Sequence, residues 1–240
     1  MGIEIQPLEY TDGDTALRGQ LAWDTAATAP SPGVLVAHTW AGCGAFEQGK
    51  AADLAGLGYV ALAIDMYGGG LVGSGPEENA RLMAPLLENR ALLQHRMRAA
   101  LDALRGQSRV DAERTAAIGF CFGGLCVLDL ARTGAPVQGV VSFHGLLGPP
   151  ENLHGVAIGA RVLVLHGWDD PMARPPAIEA LATELTEAKA EWQVHAYGGT
   201  MHAFTNPAAS NPDAGTVYDA LADKRSWRSM REFLGDTLGG

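Results

Sequence analysis

The sequence has few cysteines, and their spacing is not that of a metal site. Cys43, Cys121 and Cys126 make an odd count of three in 240 residues, which does not fit a disulfide framework. There is no C-x-x-C, no H-E-x-x-H and no cluster of carboxylates, so we expect neither a metal nor a cofactor. Because free thiols are typical of reducing compartments, we expect a cytoplasmic protein.

The chain also lacks an excess of positive charge and a long apolar run. Its 17 Lys and Arg are outnumbered by 27 Asp and Glu, which gives a formal net charge of -10. Nucleic acids and anionic membranes bind basic faces, so we expect neither as a partner. No run could span a bilayer, and we expect no signal peptide. The partner that remains is a small-molecule substrate, bound by a monomer or a homodimer.

The chain is rich in apolar residues, which make up 47% of the sequence. This is enough to form the core of one large domain over residues 1–240. Short apolar runs predict buried strands, and they lie at 33–38, 59–65, 115–120, 139–144, 161–167 and 191–197. Ala- and Leu-rich stretches between them predict helices at 46–57, 77–106, 123–133, 176–189 and 216–235. The alternation predicts an α/β fold, with helices on both faces of a mostly parallel sheet and an N-terminal antiparallel hairpin.

The segment "GFCFGG" (119–124) places a cysteine where a predicted strand meets a predicted helix. Such a turn strains the backbone of its central residue, Cys121, and the small neighbours Gly119, Gly123 and Gly124 relieve the crowding. The pattern G-x-C-x-G is that of a nucleophile elbow with Cys in place of Ser. The alternative is a buried structural cysteine beside a glycine-mediated helix contact.

A nucleophile requires a base, and the base requires an acid that orients it. In a fold with this elbow, the acid and then the base follow later strands. Asp169 and Asp170 come directly after the strand at 161–167, and His202 follows the strand at 191–197. We predict the triad Cys121, Asp170 and His202, with Asp170 chosen because it directly precedes Pro171. Asp169 is the nearest rival and is expected to cap the turn.

Other histidines and aromatic residues have weaker patterns. His38, His144 and His166 end predicted strands, and we expect packed, hydrogen-bonded side chains rather than second bases. His95 and His154 are expected at the surface. Further candidates flank the predicted catalytic loops and could line an apolar pocket or belong to the core: Trp40, Trp168, Met172 and Phe204.

The chain resembles the dienelactone hydrolase family of the α/β-hydrolase fold. The motifs "VLVAHTWAG", "LGYVALAIDMYGGG", "AAIGFCFGG", "LVLHGWDDP" and "YGGTMHAF" carry the resemblance along nearly the whole chain. It implies Cys121 as the nucleophile, His202 as the base and Asp170 as its partner. It also implies an oxyanion hole formed by the backbone N–H groups of Phe122 and Trp40.

Two positions depart from the family pattern. Thr39 stands where lactone hydrolases of the family carry a glutamate that helps to activate the cysteine, so activation must depend on His202 alone or on a group that the sequence does not identify. Asn206 stands where an arginine is expected to bind the substrate carboxylate. Arg81 is the candidate for the family's other arginine.

The predicted triad and the resemblance together imply a hydrolase of activated esters and lactones that works through a thioester intermediate. Because half of the carboxylate clamp is missing, neutral aryl esters should be favoured over anionic dienelactone, with an extension to neutral phosphotriesters. The first alternative is a true carboxymethylenebutenolidase, that is, a dienelactone hydrolase. The others are a non-catalytic binding module and a thiol redox protein.

Overall fold

The computed structural model describes residues 2–153 and 155–239, so His154, which was expected at the surface, lies outside the described residues. The strands are β1 (Ile3–Asp12), β2 (Thr15–Asp24), β3 (Ser31–Ala37), β4 (Val60–Ala63), β5 (Val110–Phe120), β6 (Gly139–Phe143), β7 (Arg161–Gly167), β8 (Trp192–Tyr197), β9 (Ser210–Asn211) and β10 (Thr216–Val217). The helices are α1 (Ala45–Ala55), α2 (Pro76–Glu88), α3 (Arg90–Arg105), α4 (Phe122–Arg132), α5 (Pro175–Glu187) and α6 (Ala220–Leu238).

The chain divides into two units, and the first ends at Ile118. Its strand order is β1-β2-β4-β3-β5. The predicted N-terminal hairpin is present, because β1 and β2 pair antiparallel from Ile3↔Asp24 to Asp12↔Thr15. β3 and β4 are parallel, and every residue of β4 is buried. A continuous apolar run is what a strand covered on both faces requires.

The second unit begins at Gly119 and contains the parallel strands β6, β7 and β8. Helix α4 follows the turn at Cys121, and all of its residues are buried. The parallel register brings the carboxyl ends of β6 and β7 to one edge, where His144 and His166 lie. The fold is thus α/β, with eight strands in a mostly parallel sheet, and the predicted fold class is confirmed.

Two predicted helices differ from the structure by more than shifts of one or two residues at their ends. The stretch predicted as one helix over 77–106 is two helices, because Asn89 leaves the helical region (φ -121°, ψ 82°). Its side chain accepts a hydrogen bond from the Leu92 N–H and so caps α3. The last helix begins at Ala220 instead of 216, since Asp219 caps it. The preceding residues pair as the short β9–β10 hairpin, which was not predicted.

Two classes of feature are absent from residues 2–153 and 155–239. None of the helices there has the length and apolar character needed to cross a bilayer. No group of three or more His, Cys, Asp or Glu side chains there is arranged to hold a metal ion.

Candidate active site

Cys121 lies in a strained turn between β5 and α4. Its φ of 56° and ψ of -115° place a residue other than glycine in a rarely occupied region. Its N–H donates to the Phe143 carbonyl at 3.0 Å, which ties the turn to β6. A Cβ at Gly119 would lie 2.0 Å from the Gly123 carbonyl oxygen, so a larger residue would break the turn. The glycine pattern therefore serves the elbow geometry that it predicted.

The three thiols differ in access. Cys121 is partly exposed, whereas Cys43 and Cys126 are buried. Burial, followed by the nearby Glu47 and Asp65 carboxylates, raises the pKa of the Cys43 thiol to about 12. A buried thiol that stays protonated is a poor nucleophile. Among the three cysteines, Cys121 is the one in a position to react with a solvent-borne substrate.

Asp170 and His202 form a buried pair in the second unit. The His202 Nδ1 atom lies 2.7 Å from Asp170 Oδ2, and the two residues are 2% and 1% exposed. Asp170 Oδ1 accepts a second hydrogen bond, from the Met172 N–H at 2.8 Å. Asp169 is exposed, and its N–H donates to the Thr200 carbonyl. The carboxylate brought to His202 is thus that of Asp170.

The loop that carries His202 is fixed by backbone hydrogen bonds to the strand β10 region. The His202 N–H donates to the Gly215 carbonyl at 2.9 Å, and the Val217 N–H donates to the His202 carbonyl at 3.0 Å. The ring nitrogen Nε2 of His202 is buried and has no hydrogen-bond partner within the part of the chain that the structure describes. That nitrogen remains available for a proton transfer.

The pKa of the His202 imidazole is raised by its surroundings. Burial lowers its pKa, but the hydrogen bond to Asp170 and the interactions with Cys121 outweigh burial and raise the pKa to about 10. A carboxylate partner favours the charged ring, and a negative sulfur does the same. These interactions favour the imidazolium form of His202.

His144 and His166 are buried near this pair and are shifted in the opposite direction. Burial, then the charge of His202, lowers the pKa of His144 well below its usual value. Burial likewise lowers the pKa of His166. The expected hydrogen bond exists for His144, whose Nε2 lies 2.8 Å from Thr205 Oγ1. For His166 the prediction of a hydrogen bond is wrong, since neither ring nitrogen has a partner among the described residues.

Phe122, the first predicted oxyanion donor, is the first residue of α4. Its backbone N–H therefore lies at the positive end of the helix dipole, directly after Cys121. An N–H in this position is suited to a negative oxygen.

Trp40, the second predicted donor, lies in a loop of the first unit that is held from several sides. The His38 Nδ1 atom lies 2.5 Å from the Thr39 carbonyl oxygen, which belongs to the same peptide as the Trp40 N–H. The Thr39 N–H donates to Glu47 Oε1 at 3.0 Å, and the Tyr67 hydroxyl donates to the Trp40 carbonyl at 2.8 Å. Glu47 was not predicted as part of this loop, although a glutamate three residues after a helix N-cap is a recognisable capping signal.

The four aromatic and Met candidates for the pocket differ in how far they are exposed to solvent. Trp168 and Met172 are 46% and 48% exposed and flank Asp170, so both offer apolar surface to a ligand. Trp40 is half-buried. Phe204 is fully buried and packs edge-on against the rings of His144 and Tyr197. Phe204 is therefore a core residue and does not line an open pocket.

The two candidates for carboxylate binding have other partners. Arg81, on α2, is exposed and pairs with Glu78 at 3.4 Å. The Asn206 side-chain oxygen accepts a hydrogen bond from the Ala208 N–H at 3.0 Å, as expected for an asparagine that stabilises a turn. Asn206 carries no charge that could pair with an anion.

The sequence over residues 17–238 matches the model of the dienelactone hydrolase family. The chain belongs to the dienelactone hydrolase family. It is therefore a hydrolase of the carboxylic ester and lactone class, and the resemblance stated above is confirmed.

Related proteins support this assignment. The solved structure of m3DLH is 40% identical, with a TM-score of 0.94, and the match covers 99% of this chain and 100% of that one. The dienelactone hydrolase-like promiscuous phosphotriesterase P91, from metagenomic libraries, is 38% identical at a TM-score of 0.94, with 99% of both chains covered. A probable 2-oxo-3-(5-oxofuran-2-ylidene)propanoate lactonase of Bradyrhizobium sp is 27% identical over 98% of this chain and 96% of its own length.

Proposed function

We propose that this hydrolase cleaves activated esters by a two-step displacement at Cys121, with His202 as the acid and base and Asp170 as its orienting partner. The observation that carries the proposal is the buried His202–Asp170 pair, 2.7 Å apart, whose imidazole pKa is also raised by Cys121. A base oriented by a carboxylate and acting on a nearby nucleophile is the arrangement that acyl transfer requires.

In the first step, the Cys121 thiolate attacks the ester carbonyl carbon, and an S–C bond forms. The bond from that carbon to the leaving oxygen breaks, and the oxygen takes the proton from His202 Nε2. In the second step, His202 removes a proton from water, which attacks the thioester carbon. The S–C bond then breaks, the acid leaves and the thiolate returns.

The raised pKa of His202 supports activation of Cys121 without the family glutamate. Thr39 cannot accept a proton at neutral pH. His202, whose pKa is raised to about 10, pairs with Asp170 at 2.7 Å, and a histidine oriented in this way activates the cysteine in other Cys–His pairs. We propose that His202, oriented by Asp170, activates Cys121 in the absence of the glutamate.

Developing negative charge on the carbonyl oxygen requires hydrogen-bond donors. The Phe122 N–H is supported by its place at the N-terminus of α4. The family resemblance assigns the second donor to the Trp40 N–H. The contact of the Thr39 carbonyl with His38 fixes the Thr39–Trp40 peptide, and the bond from the Thr39 N–H to Glu47 fixes the preceding peptide. Both support a preorganised donor, since donors that do not move stabilise a transition state best.

The preferred substrates are proposed to be neutral aryl esters. Asn206 offers only neutral hydrogen bonds, the net charge of -10 repels anions, and exposed Trp168 and Met172 offer apolar contact. Neutral phosphotriesters with an aryloxide leaving group are a further substrate class, supported by the similarity to P91. The similarity to a lactonase supports the alternative of a true dienelactone hydrolase. We further propose a cofactor-free, single-domain cytoplasmic enzyme over residues 1–240.

The proposed nucleophile is tested by Cys121→Ala. We expect the variant to lose hydrolysis of a chromogenic aryl ester completely, because the acyl enzyme cannot form. Cys126→Ala, which truncates a buried thiol on the same helix, is the matched control and should keep turnover. Wild-type turnover in Cys121→Ala would overturn the mechanism. A wild-type protein without burst or turnover on neutral and anionic esters and lactones would favour a binding module.

The substrate preference is tested by Asn206→Arg. Wild-type kcat/KM should be higher for neutral aryl esters than for dienelactone, and the arginine should shift the ratio toward the lactone by about tenfold, because it supplies a bidentate partner for a carboxylate. Asn206→Gln, which keeps a neutral amide, should leave the ratio near its wild-type value. A wild-type preference for dienelactone would support the lactonase alternative instead.

A further inference from the structure

We propose that His144 is a positioning residue for the reaction: from the turn after β6 it holds the loop of His202 through Thr205, while the same turn holds Cys121. The inference rests on the proposed roles of Cys121 and His202 and adds a residue pair that the reaction itself does not touch. The turn consists of Phe143, His144 and Gly145, and it is called the β6 turn below.

The β6 turn contacts the nucleophile elbow through backbone atoms. The Phe143 carbonyl accepts the Cys121 N–H at 3.0 Å. Gly145 packs against the first turn of α4 so closely that a Cβ at Gly124 would lie 2.6 Å from the Gly145 Cα. Because neither glycine can accept a side chain without a shift, the β6 turn and the elbow approach more closely here than larger residues would allow.

The same turn contacts the base loop through a side chain. His144 Nε2 lies 2.8 Å from the hydroxyl of Thr205, and both residues are 1% exposed. Thr205 is three residues beyond His202, so this hydrogen bond fixes the loop close to the base. A hydroxyl both donates and accepts, so either tautomer of His144 can form the bond.

Ring packing adds a second restraint on the base. The His144 ring is 5.1 Å from the His202 ring in an edge-on arrangement and 5.0 Å from the Phe204 ring. Burial and the charge of His202 keep His144 neutral. A neutral ring beside the imidazolium adds no repulsion, and it limits the rotation that would carry His202 Nε2 away from Cys121.

The backbone of His144 indicates that its placement is enforced. Its φ is 38°, a region that residues other than glycine rarely occupy. Strained residues persist where the surroundings determine them, and they are frequent in active sites. Here the surroundings are the Thr205 hydroxyl, the two aromatic contacts and the closely packed Gly145.

The test compares Thr205→Val, which removes the hydroxyl at nearly constant volume, with Thr205→Ser, which keeps it. We expect kcat for an aryl ester to fall by about 3- to 10-fold in Thr205→Val, the effect of roughly one hydrogen bond. Its KM should change little, and Thr205→Ser should recover most of kcat. A position that only stabilises the fold would lower the urea midpoint without changing kcat of the folded enzyme.

The second readout is the pH dependence of Cys121 alkylation by iodoacetamide, with Cys121→Ala as the blank. In Thr205→Val the pH dependence of the alkylation rate should shift relative to wild type, because His202 no longer holds its position beside Cys121. Thr205→Ser should keep the wild-type pH dependence. The proposal would be overturned if Thr205→Val and Thr205→Ser had the same kcat and the same pH dependence of alkylation, whatever their urea midpoints.

A variant of the histidine keeps the test decisive if Thr205→Val does not fold. His144→Phe retains the ring contacts and loses the hydrogen bond, so kcat should fall as in Thr205→Val, and the double variant should fall no further. Wild-type kcat in His144→Phe would overturn the proposal. Turnover in Cys121→Ala would instead mean that the proposed function has failed, which is a separate result.

Discussion

Asp65 in the first unit and Asp170 in the second both follow buried strands, and both are 1% exposed. The Asp65 carboxylate accepts four backbone N–H groups, from Arg18, Tyr67, Gly68 and Gly70, at 2.8–3.0 Å. The Asp170 carboxylate accepts one backbone N–H and the Nδ1 of a histidine.

The difference between these two aspartates lies in their partners. The four donors to Asp65 are backbone N–H groups, which do not titrate. Asp65 therefore fixes the path of the chain into the glycine-rich segment that begins at Tyr67. An imidazole does titrate, so Asp170 fixes where a proton resides. The Asp65 carboxylate is thus structural, whereas the proposed role of the Asp170 carboxylate is chemical, and burial alone does not distinguish the two.

The largest expected effect is that of Asp170→Asn on turnover. Without the carboxylate, His202 loses both the partner of its charged form and the acceptor that selects its tautomer, so kcat should fall by roughly 10⁴. Asp169→Asn, at the exposed neighbouring position, is the control and should keep kcat. The measurement is aryl ester hydrolysis alongside urea unfolding. Similar kcat in the two variants would show that Asp170 is not the orienting acid.

Asp65→Asn should act on stability instead. An amide can accept from fewer of the four N–H groups and turns a donor toward the rest, so we expect the free energy of unfolding to fall by about 2–5 kcal/mol. Urea denaturation measures this change, with exposed Asp14→Asn as the reference. An unchanged midpoint would mean that water or a shifted loop replaces the lost acceptor.

The smallest expected effect is a pH dependence that separates the two sites. The folded pKa of His202, about 10, lies above the ordinary 6.5, so the stability it contributes is complete below pH 6.5 and is lost as the pH rises toward 10. The difference in unfolding free energy between wild type and Asp170→Asn should therefore shrink across that window. The difference for Asp65→Asn should stay constant, since amides do not titrate.

Other titratable groups face His202 and need a control. Cys121, His144 and His166 all influence its pKa or are influenced by it. In a Cys121→Ala background, the pH range over which the difference made by Asp170→Asn shrinks should end at a lower pH. The reason is that Cys121, one cause of the raised His202 pKa, is absent. A difference between wild type and Asp170→Asn that is flat from pH 6.5 to 10 would contradict the raised pKa.

The sequence predicts the parts of the site that follow from chain order. Strand ends determine where Cys121, Asp170 and His202 arrive, and the glycines at 119 and 123–124 reveal a tight turn. These signals are local, and each is readable within a few residues. The same holds for the fold class, since short apolar runs alternating with longer helical stretches are typical of a parallel sheet covered by helices.

What the sequence does not predict depends on contacts between distant positions. His144 and Thr205 are far apart in the chain, and nothing at either position identifies the other as its partner. The four donors to Asp65 are backbone groups, which carry no sequence signal. The break at Asn89 was missed because a helical pattern continues on both sides of it, and one capping side chain decides the outcome.

The positive φ of Cys121 has a consequence for the evolution of this protein. Glycine would occupy that position without strain, so the residue that is essential to the proposed reaction is also one that the backbone alone would not select. Selection for a robust fold, acting without selection for turnover, would favour loss of the thiol. We therefore infer that the proposed reaction, rather than backbone stability, keeps a cysteine at this position.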